Sequence, residues 1–200
     1  MMRSATITTA GEAPIVATTQ PVVRLTYEDY RATPEDERCE LLDGDLIMVA
    51  APNLKHQRVQ FRLGRELGNF IVEHDLGEFF FAPCDVVLSD TDVVQPDLLF
   101  VSHQRQHLMS GGENVQGAPD LVIEVLSPAT AERDRGYKRE LYGKHGVREY
   151  WLVDPMAETV TIHRQHNGVL AAAQTFNREH TLRSALLPGL DLHLEDIFSS

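Results

Sequence analysis

Pro96-Asp97-Leu98-Leu99-Phe100-Val101 and, further along, Asp120-Leu121-Val122-Ile123-Glu124-Val125-Leu126 each set an acidic side chain in or at the head of an apolar run that reads as a buried strand. A lone carboxylate there is costly unless a cation or hydrogen-bond donors compensate it. Side chains alternate along a strand, so Glu124 shares a face with Val122 and Leu126, and Asp97 projects between Pro96 and Leu98. If the two strands are neighbours, both acids point from one sheet edge toward a common point, which suits a divalent metal. Magnesium fits, because it takes one or two protein carboxylates together with substrate phosphate oxygens. The bland alternatives are a turn-capping role for Asp97 and an arginine partner for Glu124.

Working outward, Thr26 and Asp29 form a helix-capping pair before Tyr30, and Pro34 ends that helix. Cys39-Glu40-Leu41-Leu42 and Asp45-Leu46-Ile47-Met48-Val49, split by Asp43-Gly44, predict an N-terminal β-hairpin. His56 to Glu73 predicts a long helix, with Val59, Leu63, Leu67 and Phe70 on one face and a basic stripe of Lys55, Arg58, Arg62 and Arg65 well round from it. That stripe faces solvent or a ligand. Strands are expected at Glu78 to Phe81 and Asp85 to Leu88, ahead of the Asp97 run, with antiparallel pairing from the short connections. Ala131 to His145 reads as a helix with Tyr137 and Leu141 on its apolar side, stopped by Gly146. Tyr150 to Val153 and Thr159 to Ile162 form a hairpin around Asp154-Pro155, and Leu186 to Leu190 with Leu194 to Phe198 close the domain.

The chain has 200 residues, enough for one domain, and carries no apolar stretch of the roughly twenty residues that span a bilayer. Residues 1–22 read as a flexible tail and 23–200 as a single domain. Two cysteines, Cys39 and Cys84, are too few for a disulfide framework, so a reducing cytoplasm is the expected setting. The net charge of -12 argues against a general polyanion binder. Yet Leu54 to Arg65 holds four basic residues and no acid, and Ser127 to Tyr150 holds six basic against four acidic, which leaves nucleic acid open as a partner.

The ordered series Ala118-Pro119-Asp120-Leu121-Val122-Ile123-Glu124-Val125-Leu126-Ser127-Pro128, then Asp134, Gly136, Lys138, Tyr142 and Gly146-Val147-Arg148-Glu149-Tyr150-Trp151-Leu152-Val153-Asp154-Pro155, resembles the Uma-two family of restriction-type endonucleases, part of the PD-(D/E)XK nuclease superfamily. The likeness extends upstream through Cys39 to Gly44 and Pro52 to His56, and downstream to Leu187-Pro188-Gly189-Leu190. It implies an α/β fold, a restriction-endonuclease-like mixed central sheet flanked by helices, and metal-dependent phosphodiester cleavage. Asp97 and Glu124 match the two acidic positions, and Glu40 an upstream acid that supports the metal. The superfamily lysine two residues past the second acid is absent, since Leu126 stands there. The family supplies that charge from the following helix, where Lys138 is the matching residue.

Other readings stand beside these. Lys138 is also placed to pair with Asp134 at helical spacing. Glu40 is equally an exposed hairpin residue, His56 a phosphate contact or a solvent-facing side chain, and Tyr142 a core-edge aromatic. His103 and His107 have metal-chelating helical spacing in a polar segment. The leading hypothesis is a DNA endonuclease using Mg2+ or Mn2+, with Asp97, Glu124 and Glu40 as metal ligands and Lys138 at the attacking water. Lys55, His56, Arg58, Arg62 and Arg65 would hold backbone phosphates, and a homodimer would cut both strands. The alternative is a nuclease-like module that binds nucleic acid or protein without cleaving, and a third is a structural module whose acids form internal ion pairs.

Overall fold

The computed structural model describes residues 23–34 and 38–199; the expected tail at residues 1–22 lies outside the described residues. Helix α1 (Tyr27–Arg31) starts with the anticipated capping box, Thr26 and Asp29 satisfying one another's backbone amides. Strands β1 (Cys39–Leu42) and β2 (Asp45–Met48) form the expected hairpin, and its turn places Asp43 and Gly44 at φ 50° and 80°. Helix α2 (Leu54–Glu73) is capped by the Asn53 side chain, which accepts from the His56 amide at 3.0 Å. Its buried stripe is His56, Val59, Leu63, Leu67 and Ile71, so Ile71 rather than Phe70 ends the apolar face.

Next come β3 (Gly77–Phe81), β4 (Val86–Ser89), β5 (Asp92–Val94) and β6 (Leu98–Ser102). A 3-10 helix (His103–Met109) leads to β7 (Val115–Gln116) and β8 (Leu121–Val125). The following helical stretch is α3 (Ala131–Arg133), a π turn (Asp134–Lys138) and α4 (Arg139–His145), which stops at Gly146 in the left-handed conformation. Strands β9 (Glu149–Asp154), β10 (Thr159–His166), β11 (Val169–Asn177), β12 (Thr181–Leu182) and β13 (Leu192–His193) and helix α5 (Leu194–Phe198) complete the chain.

The main sheet is mixed, in the order β11-β10-β9-β8-β6-β3, with β8 and β9 parallel and the other pairs antiparallel. One face, carrying Leu98, Phe100, Leu121, Ile123 and Val125, packs on Val59, Leu63, Leu67 and Ile71 of α2 and on the C-terminal segment. The other, carrying Leu99, Val101, Val122 and Leu126, packs on Leu141 and Tyr142 of α4 and on Leu42, Val86 and Val94. Those last three belong to a second sheet, β2-β1-β5-β4-β7. The N-terminal hairpin is therefore part of a larger unit: β4 pairs with β5 rather than with β3, and this sheet closes over the face that bears Glu124. The three strands β1, β4 and β5 supply enough apolar surface for a sheet of their own.

Two expectations from helical spacing change. His103 and His107 lie on a 3-10 helix, where positions three apart eclipse rather than four, and His103 pairs with Asp75 at 3.1 Å. Tyr137 is 40% exposed and donates to Asp92 at 3.3 Å instead of joining the core, because the π turn rotates it off the apolar face. Among the described residues no helix is long and apolar enough to cross a membrane.

Candidate active site

The antiparallel register pairs Leu98 of β6 with Ile123 of β8, so one step on Asp97 lies opposite Glu124 on the same face. The two acids do converge. They line a cleft of about 440 Å3 together with Glu40 from β1, His56 and Gln60 from α2, and Arg133 and Lys138 from the helical crossover. Glu40 is 1% exposed, not a surface hairpin residue, because the main sheet and the crossover cover β1.

Each acid is held by one oxygen. Asp97 Oδ2 accepts from the Val125 amide at 2.7 Å and lies 3.1 Å from His56 Nε2. Glu124 Oε1 accepts from Lys138 Nζ and from the Tyr142 hydroxyl, both at 2.9 Å. Glu40 Oε1 accepts from Lys138 Nζ at 2.7 Å and from the Gln95 amide at 2.9 Å. Every hydrogen bond to Asp97 and Glu124 side chains falls on those oxygens, and Glu40 Oε2 is buried with no partner beyond Arg133 at 3.7 Å. Each of the three carboxylates thus keeps an oxygen unclaimed among the described residues.

Two other buried acids behave differently. Asp120 Oδ1 meets Arg148 at 3.1 Å and Arg105 at 3.5 Å, while its Oδ2 accepts from the Ser102 amide at 2.8 Å. Glu149 is engaged at both oxygens by Arg164, Trp151 and Ser184. These two fasten the opposite end of β8 and β9. Asp120 and Glu149 are satisfied within the fold, whereas the free oxygens of the cleft acids leave room for water or a further ligand.

Lys138 is 3% exposed and reaches Glu40 and Glu124, with Asp134 farther off at 3.9 Å. The helical-spacing partner is thus the weakest of its three acids. Leu126, where the superfamily pattern sets lysine, is buried in the core, and the ammonium arrives from the crossover instead. Tyr142 is fully buried with its hydroxyl on Glu124, a contribution that composition alone does not reveal.

Burial raises the Glu124 carboxyl to about 8, and Asp134, Asp97 and Glu40 add to the rise while Lys138 opposes it. Burial works against the Lys138 charge, but Glu124, Glu40 and Asp134 outweigh it and keep the ammonium protonated. Burial, with three further acids nearby, leaves Glu124 holding a proton near neutrality. Because the folded state then binds more protons than the unfolded chain, this group's contribution to stability falls as pH rises from about 4.5 toward about 8. Glu124→Gln is therefore expected to flatten the decline of the metal-free melting temperature over that window. A thermal-unfolding series from pH 5 to 8 checks it, and an unchanged slope contradicts it.

His56 neither faces solvent nor presents itself at the surface: it is 6% exposed and braces Asp97. Its place on the stripe with Val59, Leu63 and Leu67 was the available signal. The basic stripe lies elsewhere. At about 100° per residue, Lys55, Arg58, Arg62 and Arg65 fall on the side of α2 away from His56 and Gln60. Arg62 donates to the Ile197 and Ser199 carbonyls, tying α2 to the C-terminal end, and Arg65 pairs with Glu66.

No three His, Cys, Asp or Glu side chains among the described residues already form a chelating cluster. A hard divalent ion does not require one, since one or two carboxylates plus water and phosphate oxygens complete an octahedral shell. The unclaimed oxygens of Asp97 and Glu124, with the orphaned Glu40 Oε2, are an all-oxygen donor set of that kind.

Comparison with known proteins bears on the family and the fold. The chain is 26% identical over 142 residues to the uncharacterized protein sll1609 of Synechocystis sp., covering 70% of this chain and 78% of that protein. Its fold matches the crystal structure of a putative nuclease belonging to DUF820 from Anabaena variabilis, with TM-score 0.73 and 21% identity over 88% of this chain and 98% of the other. The model of the family described as Uma2, putative restriction endonuclease, matches residues 26–195 and so takes in both strands of acids, the crossover lysine and the packing around them. The chain belongs to the Uma2 family.

Proposed function

We propose that this protein is a divalent-metal-dependent endonuclease that hydrolyses DNA phosphodiester bonds, with Mg2+ or Mn2+ as the metal and a homodimer as the cutting unit. One observation carries the reading: Asp97, Glu124, Glu40 and Lys138, from four separate segments, meet in one cleft, and each acid has an oxygen to spare. Asp97 and Glu124 would hold the ion, with Glu40 beside them. When bound, such an ion supplies Lewis-acid polarisation of the phosphoryl oxygens. The Val125 amide and His56 fix the Asp97 carboxylate, so that its second oxygen is the one available. Tyr142 and the Gln95 amide do the same for Glu124 and Glu40. Lys138 stands next to the acids as a fixed positive charge, able to orient a water or offset charge developing on the phosphoryl group. These groups are in place before substrate arrives, which spares reorganisation at the moment of reaction.

Supercoiled plasmid incubated with Mg2+ or Mn2+ is expected to convert to nicked and linear forms, and EDTA to stop the conversion. Intact plasmid under every divalent ion tried would rule hydrolysis out. Binding without cleavage is the second reading, favoured by the fact that Lys138 already engages one oxygen each of Glu124 and Glu40. It predicts DNA retention in EDTA with no product.

A further inference from the structure

Two guanidinium groups in the cleft are left with unused donors among the described residues. Arg38 precedes β1 and Arg133 ends α3, and both line the same cavity as Asp97 and Glu124. The Nε atom of each is buried and makes no hydrogen bond among the described residues. Arg38 forms no ion pair with any described acid, and Arg133 pairs only loosely with Glu40, at 3.7 Å. A buried charged donor left unmade costs free energy, and such orphans in a native fold mark the place of a missing partner.

We infer that Arg38 and Arg133 are the phosphate-binding pair of the cleft and grip the DNA backbone at the cleavage site. The inference rests on the nuclease reading and assigns to these residues the contact that sequence spacing gave to the outer stripe of α2. A planar guanidinium fork matches two phosphate oxygens at once, so each orphaned donor finds an acceptor in a phosphodiester. Charge agrees. Arg38, Arg133 and Lys138 face Glu40, Asp97 and Glu124, three cations against three carboxylates, so a divalent ion tips the cleft positive for an anionic ligand. The cleft lining also includes Ala50, Ala51, Pro52, Pro128 and Ala129, which carry no charge and little bulk to keep a sugar-phosphate chain away. The π turn contributes too, because it sets Arg133 and Lys138 one wide turn apart with both reaching Glu40.

The test is binding of a fluorescently labelled duplex oligonucleotide, by anisotropy, with Ca2+ replacing Mg2+ and salt varied. Arg38→Gln and Arg133→Gln are each expected to weaken binding about tenfold and to make the log-log salt dependence shallower by about one unit. The double variant should lose about a hundredfold, whereas Lys55→Gln with Arg58→Gln should lose far less. Arg38 pairs with no described acid, so its variant stands even if Arg133→Gln fails to fold. Unchanged affinity and salt slope in Arg38→Gln, or a larger loss in the stripe variant, would overturn the inference, as would a wild-type protein with no affinity for the duplex. A wild type that binds but never cleaves removes the hydrolysis reading alone, and the arginine titration is read as before.

Discussion

Asp97→Ala and Asp97→Asn are both expected to lower DNA cleavage by at least about a thousandfold, the scale lost when a preorganised charge-stabilising group is removed from an active site. Asp97 is the more exposed of the two paired acids, at 18% of its side chain against 6% for Glu124. It therefore carries little of the core. Asp97→Asn keeps an oxygen for the Val125 amide, which it now meets at 2.7 Å, so its melting temperature should stay within a few degrees of wild type. The loss should appear in turnover while binding in Ca2+ falls much less, because phosphate gripping is assigned to other side chains. Cleavage retained in the asparagine variant would remove Asp97 from the chemistry.

The second large effect is structural and catalytic together. Lys138→Met deletes the one ammonium that reaches both Glu40 and Glu124, and leaves two carboxylates buried at 1% and 5% exposure without their cation. Breaking a buried pair by removing one member costs about 3–5 kcal/mol. For a chain of this size that is a fall of roughly 10 °C in melting temperature. The double variant Lys138→Met with Glu40→Gln should regain part of the lost stability, because one uncompensated charge goes as well. Cleavage should fall at least about a hundredfold in both. Recovery of folding without recovery of activity separates the two roles of the lysine; a single variant that melts and cuts like wild type would contradict both.

The residues differ in how much of this could be read from sequence, and for physical reasons. Asp97 and Glu124 are legible because a carboxylate in an apolar strand is costly wherever the strand goes, but that they share one face depends on the pairing of β6 with β8, which alternation alone does not give. Most element types were legible as well: the Thr26 cap, the Asp43-Gly44 turn and the Gly146 stop are chemistry confined to a few neighbouring residues. The ion pair of Lys138 with Glu40 spans 98 residues and leaves no local pattern. The family resemblance named both residues for the site but not their pairing. The π turn was invisible for another reason, since its side-chain spacing departs from 3.6 by less than the pattern resolves, yet it moved Tyr137 to the surface. His56 sits among basic neighbours that belong to the outer stripe, although its own spacing from Val59 sets it on the buried one, which excludes only its solvent-facing reading. Arg38 and Arg133 offered no signal beyond local charge, because an arginine becomes telling only once its neighbours are seen to leave it unpaired.

A metal-dependent nuclease of this kind must seat its divalent ion between Asp97 and Glu124. Crystals soaked in Mn2+ and measured for anomalous scattering are expected to show one strong peak in the cleft, roughly 2.2 Å from an oxygen of Asp97 and an oxygen of Glu124, and no such peak in Asp97→Ala. Manganese found only at surface carboxylates, with both cleft acids bare at saturating metal, would contradict it.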